Sequence, residues 1–144
     1  MRRCQIPCVR TLVLGTMLAL VSLSTAAQVT VERPRVLVVP LANLTGQQQN
    51  DVVADASTDR ILLTLRLLDQ YEVIPATEVL SENLIGADPT ELDRISADEG
   101  VDNIMFGTVT TTDGGGFRFQ LSVYDRAVSG ISLEAESVSA RLFG

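Results

Sequence analysis

Carboxylates are the only abundant side chains here able to act as acids, bases or metal ligands. The 144 residues hold eighteen Asp and Glu and no His. All eleven basic residues are Arg, there is no Lys or Trp, and the two cysteines are Cys4 and Cys8. Asp51, Asp55 and Asp59 recur at i, i+4 and so share one stripe of a helix. Such a stripe serves either a divalent cation or, more simply, a solvated face whose first members complement the helix dipole. Asp98, Glu99 and Asp102 gather around Gly100 without the spacing of a Ca²⁺ loop, which marks a wet helix end. Gly114, Gly115 and Gly116 lack the strand-to-helix setting and the Lys of a phosphate loop, so they read as a hairpin turn. Asn43 and Thr45 form an Asn-x-Thr sequon, read here as loop-shaping hydrogen bonds.

The missing residue types exclude whole classes of chemistry. Without His, and with cysteine confined to the first ten residues, zinc sites of the usual N/S kind are excluded. Ser-His-Asp, Cys-His and Schiff-base mechanisms lose their bases and nucleophiles. A glycosidase-type carboxylate pair has no Trp platform and little cleft in so small a chain. No cofactor, metal ligand or catalytic residue is therefore expected, and the chain is not read as an enzyme. Phe106, Phe117, Phe119 and Tyr124 fit core aromatics better than a base-stacking platform.

The first residues read as an export address. Arg2, Arg3 and Arg10 precede an uncharged apolar run, Thr11 to Leu23, and small residues Ser24, Thr25, Ala26 and Ala27 follow. That order is the secretory layout, with cleavage after Ala26 or Ala27. The run is shorter than the ~20 residues of a membrane helix. No Cys follows it, so a lipid anchor at the cleavage point is not expected. Removing 27 of 144 residues leaves 117, with eight Arg against eighteen acids and a charge of −10. Such a domain repels nucleic acid and anionic lipid. It is expected to be periplasmic or secreted and to have no membrane span after cleavage. Folding without disulfides suits a bacterial envelope.

The remaining chain alternates strand and helix. Arg35 to Val39 is apolar on successive residues, as in a strand covered on both faces, and Pro40 ends it. A loop from Leu41 to Asn50 leads to a five-turn helix capped by Asn50 or Asp51 and ending near Asp69. Val52, Val53, Ala56, Ile61, Leu63, Leu67 and Leu68 mark its apolar arc. Tyr71 to Ile74 is a short strand stopped at Pro75, and residues 77–85 read as a short helix. Asp88-Pro89-Thr90-Glu91 is a capping box with Pro at N1, opening a helix that Gly100 ends. From Val101 the period becomes two. Three strands follow, a meander with one wet face. The order is β-α-β-(α)-α-β-β-β. The fold class is α/β (α+β), a mixed sheet of about five strands with helices packed mainly on one face.

Several of these strings occur together elsewhere. Arg35-Val36-Leu37-Val38-Val39-Pro40-Leu41-Ala42-Asn43-Leu44-Thr45-Gly46 is similar to the opening of many bacterial domains. So are Tyr71-Glu72-Val73-Ile74, Phe106-Gly107-Thr108-Val109 and Phe119-Gln120-Leu121-Ser122-Val123-Tyr124-Asp125 to their later parts. The order resembles the TolB N-terminal-like domain and the related fold of curli-export and penicillin-binding-protein-activator lipoproteins, over residues 34–138. The resemblance implies a non-catalytic envelope module that binds another protein. Residues 1–27 are then a signal peptide, 28–33 a lead-in, 34–138 one domain and 139–144 a tail. The turn from Asp113 to Gly116 is too short for a pore-forming hairpin. The candidate partner surface is Asn43, Leu44, Thr45, Gly46 and Gln47 together with an open strand edge. A small-ligand or divalent-cation-binding domain is the alternative. Oligomerisation and the identity of the envelope partner stay open.

Overall fold

The computed structural model describes residues 32–76 and 84–139. The expected signal peptide and tail lie outside these residues, as does most of the short helix expected over 77–85. Strand β1, Arg35–Val38, is buried as its composition demands: Val36, Leu37 and Val38 are all 4% exposed or less. It runs between two parallel neighbours, with Leu37 opposite Ile74 of β3 (Glu72–Pro75) and Ile104 of β4 (Asn103–Thr111). β3 runs through Pro75, one residue further than expected. An edge position tolerates the missing N–H.

Pro40 interrupts pairing without ending it. Val38 pairs with Met105 and Ala42 with Thr108, so the chain advances four residues against three on β4. The extra residue flips the alternation, as a bulge does. Val39 therefore joins one apolar cluster and Leu41 the other. The pairing that resumes is a two-residue strand, β2 (Ala42–Asn43), where a loop was expected. It brings the sheet to six strands, in the order β3-β1-β4-β5-β6 with β2 beside β4. The Leu41 N–H donates to the buried Thr58 hydroxyl (3.0 Å), which itself donates to the Ala54 carbonyl. A buried N–H displaced by the bulge is thereby satisfied.

Two helices connect the parallel strands. Helix α1, Asp51–Leu68, follows a 3₁₀ turn at Gln48–Asn50 and ends where Asp69 takes φ 52°. Helix α2, Pro89–Glu99, keeps the boundaries that its sequence signals set. Asp88 accepts a hydrogen bond from the Glu91 N–H (2.9 Å), and Gly100 closes the helix at φ 62°. Among the described residues no helix is long and apolar enough to cross a membrane.

The class and the mixed sheet are as expected, and so is the order of the described elements apart from the added β2. Helix placement is refined by the strand order. The step from β1 to β3 and the step back past β1 to β4 run in opposite directions. Right-handed crossovers then set their helices on opposite sides. The long helix α1 covers one face through Ala54 and Ile61, which meet Leu41, Val109, Phe119 and Leu121. The shorter α2 covers the other face at one end, where Leu92 and Ile95 meet Leu37, Ile104 and Tyr124. Both Ile104 and Val109 are fully buried although an odd spacing aims them to opposite sides of β4. The face of β5 (Phe117–Asp125) expected to be wet is wet at Gln120 but buried at Tyr124, beneath α2.

The α1 arc also differs from expectation. Ala54 and Thr58 are its buried residues, whereas Val52, Leu63, Leu67 and Leu68 are exposed. The expected apolar set mixed two arcs of one helix.

Candidate protein-interaction surface

The loop after β2 is organised by the two sequon residues. Asn43 Oδ1 accepts from the Thr45 N–H (2.9 Å) and from the Thr45 hydroxyl (2.6 Å). The Asn43 amide donates to the Gln47 carbonyl (2.9 Å) and to Asp51 Oδ1 (2.6 Å) at the start of α1. Thr45 Oγ1 accepts in turn from the Gln47 N–H and the Asn50 amide. Gly46 takes φ 73°, which only glycine adopts without strain. Asn43 and Thr45 are half-buried and spend their polar atoms on this framework, the shaping role read from the sequence. A glycan would need the Asn43 nitrogen that holds the framework shut. Leu44 is left outermost, 48% exposed, beside the exposed Gln47 and Gln49. The loop presents an apolar tip in an amide-rich rim.

The open edge is β6, Gly130–Ser139, paired only with β5 on the described chain. None of its ten residues is buried. Its ladder with β5 skips a register step between Val123 and Tyr124, leaving Ser132 as the extra residue. Leu133, Ala135 and Ser137 look to the α1 side of the sheet; Glu134 and Glu136 look to the other. Glu136 meets Arg118 Nε at 3.2 Å, an exposed pair of small energetic weight. A groove flanks the strand on each side. On the α1 side, about 660 Å³ is lined by Ile61, Leu65, Met105, Phe119, Leu121 and Ala135 among others. On the acidic side, about 370 Å³ lies over Phe106, Gln120 and Leu84, with Glu134 and Glu136 at its rim. The opposite edge, β3, has four residues and ends in proline. A short, proline-tipped edge resists further pairing, whereas a long one invites it.

The carboxylates singled out in the sequence do not converge. Asp51 is tied to the loop through Asn43, while Asp55 and Asp59 stand exposed on successive turns. Asp98 pairs with Arg94 (3.2 Å), and Asp102 Oδ2 accepts from the Arg35 N–H (2.7 Å), so these two acids serve different partners. Among the described residues, no three His, Cys, Asp or Glu side chains group closely enough to hold a metal ion. The three glycines lie in the β4–β5 turn. Thr112 holds that turn by accepting from the Gly115 N–H at its carbonyl and the Gly116 N–H at its hydroxyl.

One perturbed group stands out. Tyr124 is fully buried, and burial pushes its phenol above the usual range. Its hydroxyl donates to Asp93 of α2, and the carboxylate's charge raises it further. The phenol is thus held neutral as a hydrogen-bond donor that pins α2 to the sheet. The core placement read for Tyr124 from the sequence holds; its hydrogen bond to Asp93 was not foreseen. An aromatic closing a run of Gln and Ser was the available signal.

No family model matches this sequence, and no curated protein does. Solved structures do match its fold. The C-terminal domain of LpoB from Escherichia coli aligns with a TM-score of 0.53 at 12% identity, covering 75% of this chain and 83% of that one. Lipoprotein GNA1162 from Neisseria meningitidis aligns at 0.51 and 18% identity, over 75% and 81%. The PelC dodecamer from Paraburkholderia phytofirmans aligns at 0.50 and 15%, over 74% and 71%. The fold implied by the resemblance is the fold found.

Proposed function

We propose that this chain is a non-catalytic protein-interaction module of the bacterial cell envelope. It reaches the periplasm or the exterior once residues 1–27 are removed. It docks an envelope protein along β6 and the loop of Asn43, Leu44, Thr45, Gly46 and Gln47. The observation that carries this reading is β6 itself: a ten-residue edge with nothing buried and a groove on either face. A strand added there gains main-chain hydrogen bonds from the edge and side-chain discrimination from the grooves. The fold supports the same reading, since it is shared with LpoB and with GNA1162, a lipoprotein by name. The divalent-cation alternative has no comparable support, because its carboxylates are dispersed.

Photo-crosslinking side chains placed singly at Gln47, Leu133 and Thr90 of the full chain, in cells that make it, test the proposal. Gln47 and Leu133 should give adducts with the same envelope protein, and Thr90, exposed on α2, should not. No adduct at either site, or equal adducts at all three, overturns it. Mass spectrometry of the exported protein should find Ala27 or Gln28 at its start. A cytosolic chain with an intact leader overturns the localisation.

A further inference from the structure

Helix α1 has a second apolar arc that its own fold leaves uncovered. At about 100° per residue, Val52, Ala56, Leu63 and Leu67 fall within an arc of about 60°. All four are exposed, Val52 by 72%, Leu63 by 57% and Leu67 by 75%. The sheet-facing residues Ala54, Thr58 and Ile61 lie almost diametrically opposite. An amphipathic surface helix needs only the inner of these arcs. The outer one is a seam along an 18-residue helix, bordered at its middle turn by Asp59 and Arg60, of the kind that packs against a second helix.

Charge beside the seam selects the occupant. Asp59 and Arg60 lie about 20° outside the arc, on opposite sides of it. Both are exposed, and neither has an ion-pair partner among the described residues. Two copies of the helix packed in parallel about a twofold axis bring the Asp59 flank of each beside the Arg60 flank of the other. In that arrangement one opposite-charge contact forms on each side of the seam. The antiparallel arrangement brings Asp59 against Asp59 and Arg60 against Arg60, a like-charge contact on both sides. Flanking charges set orientation in this way in paired helices.

We infer that this chain self-associates through α1, as a parallel twofold pair with Ala56 and Leu63 of each copy at the centre. The contact is isologous, so it closes at two copies. One helix-wide seam falls short of a standard stable interface, so the pair is weak and concentration-dependent. It covers neither β6 nor the loop at Asn43, although Arg60 also lines the groove on the α1 side of β6; mass and envelope-protein adducts, read separately, keep the two proposals distinguishable.

Sedimentation of the exported protein from about 0.01 to 1 mM tests the inference. The mass should rise toward that of a dimer, and Leu63→Glu should hold it at the monomer while circular dichroism is unchanged. Asp59→Arg should weaken association, and Asp59→Arg with Arg60→Asp should restore it. Ala56→Cys, with Cys4 and Cys8 replaced by Ser, should give a disulfide-linked dimer on mild oxidation. Linkage only between a 56 cysteine and a 63 cysteine indicates the antiparallel pair and overturns the orientation. A wild-type monomer throughout, or a dimer indifferent to Leu63→Glu, overturns the inference. So does loss of an envelope-protein adduct in Leu63→Glu with no change in mass, because the seam then belongs to that partner.

Discussion

Strands β1 and β6 are opposite extremes of one sheet. β1 has four residues, three of them buried, with a parallel neighbour on each side and a helix layer over each face. β6 has ten residues, none buried, and one neighbouring strand among the described residues. Cohesion is concentrated where crossover connections bring helices, and β6 is reached by hairpins, which bring none. The parallel half supplies the stability of the domain, and the meander extends backbone from it into solvent. This division gives a small domain a rigid body and a long exposed edge, the combination that docking by strand addition requires.

The contrast is broken most directly by a core truncation. Ile104 sits at the centre of the parallel half with no exposed surface, between Leu37 and Tyr124. Ile104→Ala should cost about 2–5 kcal/mol, by lost burial plus the cavity left behind. Urea unfolding followed by circular dichroism reads the loss as a lower midpoint with an unchanged slope. A cost under 1 kcal/mol would mean that the core lies elsewhere.

Much of this architecture was legible in the chain. Successive apolar residues at Val36 to Val39 told of a strand covered on both sides. Asp88, Pro89 and Gly100 fixed both ends of α2 because capping is local, decided by the side chains at the helix ends themselves. Long-range facts were less legible. The β2 pairing depends on Thr108, sixty-six residues from Ala42. Tyr124 was legible as a core aromatic, but its tie to Asp93 depends on α2, which nothing within β5 can report. The seven apolar positions of α1 gave a helix, but periodicity could not say which arc would find the sheet. The loop at Asn43 was legible in its hydrogen-bonding residue types. The exposure of β6 was legible only as an open edge, without its grooves.

Tyr124 marks the border between the two halves, on a meander strand but under α2. Tyr124→Phe keeps the ring and removes the hydroxyl bond to Asp93, at an expected cost of about 1 kcal/mol near neutral pH. The raised folded-state pKa also sets a pH dependence. The native state holds the phenolic proton more tightly than the unfolded chain does. The stability this contributes is complete below the ordinary value of 10.0 and is lost as pH climbs from there through the folded value. Urea titrations at pH 7 and at rising alkaline pH should show wild type losing stability faster than Tyr124→Phe. Parallel curves would place Tyr124 with the open half of the sheet.

The smallest expected effect is the sharpest statement of the contrast. Leu133 lies near the middle of β6, 52% exposed, with its backbone paired to Val123. Leu133→Ala removes as many carbons as a core truncation does. Yet little of that surface is withdrawn from water on folding, so the transfer term is small, and there is no enclosed space in which to leave a cavity. The expected change is within about 0.5 kcal/mol, the range of ordinary surface substitutions. Strand pairing persists because the hydrogen bonds to β5 are backbone bonds. Equilibrium unfolding of Leu133→Ala beside Ile104→Ala therefore reads the two halves on one scale. A Leu133 penalty approaching that of Ile104 would mean that β6 is covered in solution, and would move it from the exposed edge of the sheet to part of its core.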